Sequence, residues 1–291
     1  MSAPARQPLE ALPELAAGLS LLDAPGKKIA KAVRSALGPG MVKDVISGVW
    51  MGHALHPLLT DVVIGSWTSA NLLDLLGGED TDEAAQRLIA VGIAAYPAVA
   101  VTGLVDWADG EPVGAEVRRV GLVHAGLNAV ALWLYIASLV SRRKGKRGQG
   151  VALALAGSAW MGAAGHLGGH LAFRLGQGVD QTVFDPGSGD WSDALAAEDL
   201  LEDEPATAQV GETPVVLVRD GDDVLALHDR CSHRGCSLAT GDVQDGAIEC
   251  PCHGSRFDLR SGAVRRGPAT APQPAFQART RAGRIEVRLH R

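Results

Sequence analysis

The residues with the most evident chemistry are four cysteines and two histidines in two short segments, Cys231-Ser-His233-Arg-Gly-Cys236 and Cys250-Pro-Cys252-His253-Gly-Ser255, and the 291 residues hold no other cysteine. Each segment opens on a Cys and supplies a His, two residues on in the first and three in the second, with 16 residues between His233 and Cys250. Two thiolates and two imidazoles can therefore converge on one centre from facing loops. A sulfide-bridged pair of irons takes such a set, with Cys231 and Cys250 on one iron and His233 and His253 on the other; a closed zinc shell is the alternative. Zinc sites favour paired Cys-x2-Cys knuckles, and a domain held by disulfides alone would leave both histidines unused. The spacing favours one 2Fe-2S cluster and single-electron chemistry.

Both segments resemble the boxes of the Rieske family, and the resemblance extends over roughly residues 189–291. It implies Cys231, His233, Cys250 and His253 as cluster ligands. It also implies a Cys236–Cys252 disulfide clamping the two loops, as in the Rieske proteins of cytochrome bc complexes, and a cluster-covering proline loop at Gly267-Pro268-Ala269. Ser255 resembles the quinol-oxidising subtype, whose hydroxyl donates to a cluster sulfide and favours the reduced state. Arg234 resembles ferredoxins and oxygenases, and Phe257 lacks the tyrosine hydroxyl that quinol oxidisers often carry. The mixture implies a potential inside the Rieske range of about −150 to +300 mV.

Strand-like alternation supports a β fold around these boxes. Val215–Val218 and Val224–Leu227 flank a turn at Asp220-Gly221-Asp222, and a second hairpin is expected from Phe276–Thr280 and Ile285–Leu289 around Ala282-Gly283. Asp245-Gly246 is placed for a hairpin leading into the second box. The fold expected is an all-β antiparallel sandwich of the Rieske type.

The rest of the chain has a different composition. Val120–Val140 gives 21 residues and Val151–Phe173 gives 23 without Asp, Glu, Lys or Arg, each long enough for a hydrocarbon core of about 30 Å. Leu88–Val105 is a shorter run. His53–Leu76 carries Asp61 and Asp74 but has the length and a Trp67 suited to a span inside a bundle. The expectation is an all-α four-helix transmembrane bundle, the alternative being a soluble bundle with very apolar faces. Gly165-x-x-x-Gly169, with Gly157 and Gly162, is a pattern for close helix approach. Trp50 and Trp107 are expected at ends of spans. This half resembles an uncharacterised bacterial four-helix membrane family that has a His-Pro pair, here His56-Pro57, in its first span.

The expected layout is a tail and basic amphipathic helix over 1–48, with Lys27, Lys28, Lys31 and Arg34 facing a solvated or anionic surface. The membrane domain follows over 49–176, a linker over 177–188 and the Rieske domain over 189–291. Asp180–Glu212 contains no Lys or Arg and marks the boundary. No secretory signal is evident at the N-terminus.

Antiparallel threading brings His53, His56, His124, His166 and His170 to one side of the membrane, in a layer that could bind haem b or quinone or could simply tie helices together. Both termini share that side. Eight basic residues there face six opposite, which leaves orientation undecided by charge; a persistent disulfide favours an external Rieske domain. The function expected is a membrane-bound electron-transfer protein between quinol or haem and a protein acceptor; the alternative is a membrane-anchored ferredoxin serving a separate oxygenase or reductase. No site of two His and one carboxylate follows the cluster boxes, so an electron-transfer subunit is expected rather than a complete oxygenase. The partners expected are the lipid membrane and redox proteins, not nucleic acid.

Overall fold

A computed structural model describes residues 10–290. Residues 1–9 of the expected tail, and Arg291, lie outside the described residues. The described residues divide into two compact units: one holds residues 10–36 with Leu55–Gln177, the other holds Leu37–Ala54 with residues 178–290.

The first unit is helical: α1 Ala11–Ala17, α2 Asp23–Ala36, α4 Leu55–Leu76, α5 Asp82–Gly110, α6 Ala115–Arg143 and α7 Arg147–Gly169, which ends in a π-turn at His170–Arg174. Three segments are long and apolar enough to cross a membrane, Glu79–Val113, Ala115–Arg143 and Arg147–Arg174. Helix α4, the first of the four spans expected, does not reach that hydropathy because Asp61, Asn71 and Asp74 interrupt it. Two of these polar groups are spent inside the bundle. Asp74 and Asp82 pair with the buried Arg142, whose Nη1 donates to Asp74 Oδ1 at 2.9 Å. Asn71 donates to the Tyr135 hydroxyl at 2.9 Å, and Tyr135 bonds Ser158 at 2.7 Å.

The centre of this unit is aromatic. Trp67, 1% exposed, stacks on Tyr135 with ring centroids 4.0 Å apart. Close helix approach occurs at Gly92, where a Cβ would strike Trp67, and at Gly157, where it would lie 2.9 Å from Tyr135. Gly162 and Gly165 have no neighbour within 4 Å of such a Cβ, and Gly169 meets only its own helix's Phe173, so the Gly165-x-x-x-Gly169 pair does not make the contact expected of it. Outside the spans, Asp23 of α2 accepts from Arg119 and Arg118, and the Arg119 hydrogen bonds, opposed by burial, hold its carboxyl at about 2.

The second unit is β-rich. A six-stranded antiparallel sheet runs β1-β10-β9-β4-β3-β2, with β1 Ser192–Ala196, β2 Ala206–Val210, β3 Thr213–Asp220, β4 Asp223–His228, β9 Ala275–Arg281 and β10 Arg284–Leu289. A four-stranded sheet follows chain order with β5 Asp242–Gln244, β6 Ala247–Glu249, β7 Arg256–Asp258 and β8 Val264–Arg266. The expected hairpins form at β3/β4, at β5/β6 and at β9/β10. In the last two, both turn residues take positive φ, Asp245 with Gly246 and Ala282 with Gly283, as a two-residue turn matched to strand twist requires.

Leu37–Ala54 also belongs to this unit and contains helix α3, Met41–Ser47. The expected layout divides these residues between the tail and basic helix (1–48) and the membrane domain (49–176). Trp50 therefore sits in the β-rich unit, where it is exposed, and not at the end of a membrane helix.

Candidate metal centre

The two boxes sit on loops built to one plan. The Cys231 amide donates to the carbonyl of Cys236 at 2.8 Å and the Gly235 amide returns to the Cys231 carbonyl at 2.8 Å; the Cys250 amide donates to the Ser255 carbonyl at 2.8 Å and Gly254 returns to Cys250 at 3.0 Å. In each loop the glycine four residues after the Cys has φ of +77°, which closes the loop and which a side chain would strain. The shared Cys-x3-Gly spacing is present in the sequence but carries meaning only once the two loops are seen to match.

The loops present their side chains in like pairs. Cys231 and Cys250 are free thiols, each 1% exposed, and hydrogen-bonded to one another. That bond lowers Cys250 to about 7 while it and burial push Cys231 up. The rings of His233 and His253 meet edge to face with centroids 5.0 Å apart. Burial, with Arg234, His253 and Lys43 adding to it, holds His233 well below its ordinary value, so its imidazole is neutral as a metal ligand must be. Cys236 and Cys252 form a disulfide, with Cα atoms 6.5 Å apart. Although the sulfurs of Cys236, Cys250 and Cys252 lie within 4.8 Å of one another, two of them are thereby removed from metal binding. What remains is a donor set of two thiols on one side and two imidazoles on the other, which fits a pair of bridged irons and is unlike a four-thiolate zinc shell.

A third loop, 267–274, covers this arrangement. The fully buried Ser255 hydroxyl accepts the Ala269 amide at 2.9 Å. On the first loop, the Ser232 amide donates to Gln273 Oε1 at 2.7 Å and the Ser232 hydroxyl to the Ala271 carbonyl at 2.8 Å. Gln273, 2% exposed, then donates to the carbonyls of His228 and Arg230. Asp229 accepts from Ser237 and from the Ala239 amide. Gln273 and Asp229 organise the site, yet a lone Gln or Asp in a loop gives no sequence signal. Phe257 is fully buried in the apolar cluster with Cys231, Cys250 and Leu238 beneath the loops.

Residues 190–277 match the family described as the Rieske [2Fe-2S] domain. Over 100 residues, 34% of this chain and 93% of the relative, the sequence is 38% identical to the anthranilate 1,2-dioxygenase ferredoxin subunit of Burkholderia cepacia. The chain belongs to the Rieske family. Its Rieske domain is also 33% identical over 101 residues to ferredoxin CarAc of Metapseudomonas resinovorans, covering 33% of this chain and 92% of that one. Among solved structures, the ferredoxin of carbazole 1,9a-dioxygenase from Nocardioides aromaticivorans IC177 is 32% identical, with a TM-score of 0.33 and coverage of 34% and 96%. Residues 52–181 match a second family, described as a predicted membrane protein (DUF2231). The chain thus joins a Rieske ferredoxin-type electron carrier to a domain of a membrane family, and the Rieske domain implies one 2Fe-2S cluster.

The histidines of the helical unit are spread among its helices. His56 Nδ1, on α4, lies 3.0 Å from the Val99 carbonyl of α5. His124 of α6 uses both nitrogens, Nδ1 to the Ala164 carbonyl of α7 at 2.8 Å and Nε2 to Asn128 at 3.2 Å. His170 Nε2 is 3.2 Å from Glu116, and His166 lies one helical turn before it. His53 is exposed and falls in Leu37–Ala54, so it is not part of the helical unit.

Proposed function

We propose that this chain is a membrane-anchored Rieske electron carrier in which Cys231 and Cys250 hold one iron and His233 and His253 the other, with the Cys236–Cys252 bridge holding the loops in register. The observation that carries the reading is the pairing of thiol with thiol and imidazole with imidazole on two loops of identical backbone plan. The cluster supplies one-electron redox chemistry. The protein's own residues hold it, exclude water through loop 267–274, and place the Ser255 hydroxyl beside it. The electron partner is a separate protein, an oxygenase or a reductase, in keeping with the dioxygenase ferredoxin subunit that the Rieske domain resembles.

Helix α4 is read as a fourth span, since its Asp74 and Asn71 are paired inside the bundle. Four crossings return the chain to the side it started from, and the disulfide favours an external Rieske domain. His56 and His124 bond carbonyls of neighbouring helices, which supports helix ties over haem or quinone ligands.

Iron and acid-labile sulfide analysis of the full-length protein tests the ligand set. Cys231→Ala, Cys250→Ala, His233→Ala and His253→Ala each abolish the cluster, whereas Cys236→Ala leaves it assembled at reduced stability. Full iron content in Cys250→Ala overturns the assignment.

A further inference from the structure

Residues 37–51 lie outside both family matches, yet they pack in the β-rich unit against the covering loop 267–274 and the second ligand loop. Three contacts fix them there. Asp44 of α3 accepts the Gly267 amide at 3.1 Å, across 223 residues of sequence. Val49 fills the space where a Gly267 Cβ would stand, so the covering loop packs closely against this segment. Pro39 does the same at Gly254, the residue after His253, where the positive φ already demands glycine. Lys43, in the same helix, is 4% exposed and adds a positive charge felt at His233. Asp44 is half-buried, and its carboxylate lies against the Gly267 amide of the covering loop. Burial raises Asp44 while the Gly267 amide and Arg266 oppose that rise.

We infer that residues 37–54 are a functional part of the cluster site: a cap that pins loop 267–274 through Asp44, shields the His233 and His253 side from water, and closes that side to any soluble electron partner until it is displaced. Pro251 and Cys252 stay exposed, so the cap covers one side of the loops and not the whole tip. Asp44 is a positioning residue in this arrangement, acting through Gly267. The inference rests on the Rieske reading for the cluster but not for the contact itself.

The test uses the full-length holoprotein in detergent. The power saturation of its reduced-cluster EPR signal is measured with and without the solute relaxant Ni(II)-EDTA. The wild type is expected to relax weakly, Asp44→Ala and Val49→Asp severalfold more strongly, and Asp44→Asn close to wild type, because its amide oxygen still accepts the Gly267 amide. Equal relaxation in wild type, Asp44→Ala and Val49→Asp overturns the cap. Hydrogen exchange on the wild type decides the matter should both variants fail to assemble. Protected amides across 41–51 and at Gly267 support the cap, and exchange at the rate of a free peptide overturns it. A wild type that has protected amides but no Rieske signal contradicts the cluster reading alone.

Discussion

The hydroxyl of Ser255 accepts the Ala269 amide at 2.9 Å, with both residues fully buried. The hydroxyl keeps its own hydrogen while it accepts that amide, and this hydrogen would be available to donate to a cluster sulfide. A donor there stabilises the more negative reduced state. Ser255→Ala is expected to lower the midpoint potential by the worth of one hydrogen bond to a charged group, about 1–3 kcal/mol or roughly 40–130 mV for one electron. Protein-film voltammetry reads it, with the wild type falling within about −150 to +300 mV.

Lys43 of α3 acts on the same quantity. Its buried ammonium lies close enough to bear on His233, and a positive charge favours the added electron. Lys43→Gln is expected to lower the potential by on the order of 1 kcal/mol, about 40 mV. An unchanged or raised potential would exclude α3 from the electrostatics of the cluster.

The Cys236–Cys252 bridge closes a loop of 16 residues between the two ligand-bearing segments. In the chain-entropy account such a closure contributes about 3 kcal/mol. Cys236→Ser should bleach its cluster at a lower temperature than the wild type does, followed by visible absorbance, and dithiothreitol should have the same effect on the wild type.

His228 is fully buried, with Nε2 3.4 Å from Asp185, and burial lowers its pKa below the ordinary 6.5 despite Asp185. The unfolded chain therefore binds a proton at a pH where the folded one does not, and stability rises with pH across that interval. Resistance of the β-rich unit to urea should be complete above pH 6.5 and fall as the pH drops below it, down to the depressed native value. His228→Gln should flatten this dependence, followed by hydrogen exchange of the β-sheet amides.

In the helical unit, Arg142 and Asp74 are paired with both side chains out of contact with solvent. Removing one partner leaves an uncompensated buried charge, at a cost of about 3–5 kcal/mol. Asp74→Ala should lower the thermal midpoint of helix loss in detergent far more than Asp61→Ala, whose carboxylate is exposed.

The parts of this protein legible in its sequence are those written over short distances. Cysteine and histidine spacing marked the candidate metal site, whose residues lie within 22 positions of one another, and alternating strands with Asp-Gly and Ala-Gly turns marked three hairpins, each shorter still. Helix α4 was legible as a helix, but its hydropathy could not show that Asp74 finds Arg142, 68 residues away. Of the glycines in the expected pattern Gly157 makes a close approach, to Tyr135, whereas Gly162, Gly165 and Gly169 do not, and Gly92, outside the pattern, makes another against Trp67; these two large rings decide where room is needed. Gln273 binds the first ligand loop and Asp44 the covering loop through backbone groups, which have no sequence signature. The Asp44 contact in addition spans nearly the whole chain, so nothing local to residues 37–54 distinguishes them from a tail leading into a membrane helix.

The most direct test of the central claim is the EPR spectrum of the detergent-purified, dithionite-reduced protein. The two-thiol, two-imidazole arrangement predicts the low-average-g rhombic signal of a Rieske cluster, accompanied by two irons and two labile sulfides per chain and lost in Cys250→Ala. An EPR-silent protein carrying stoichiometric zinc would contradict it.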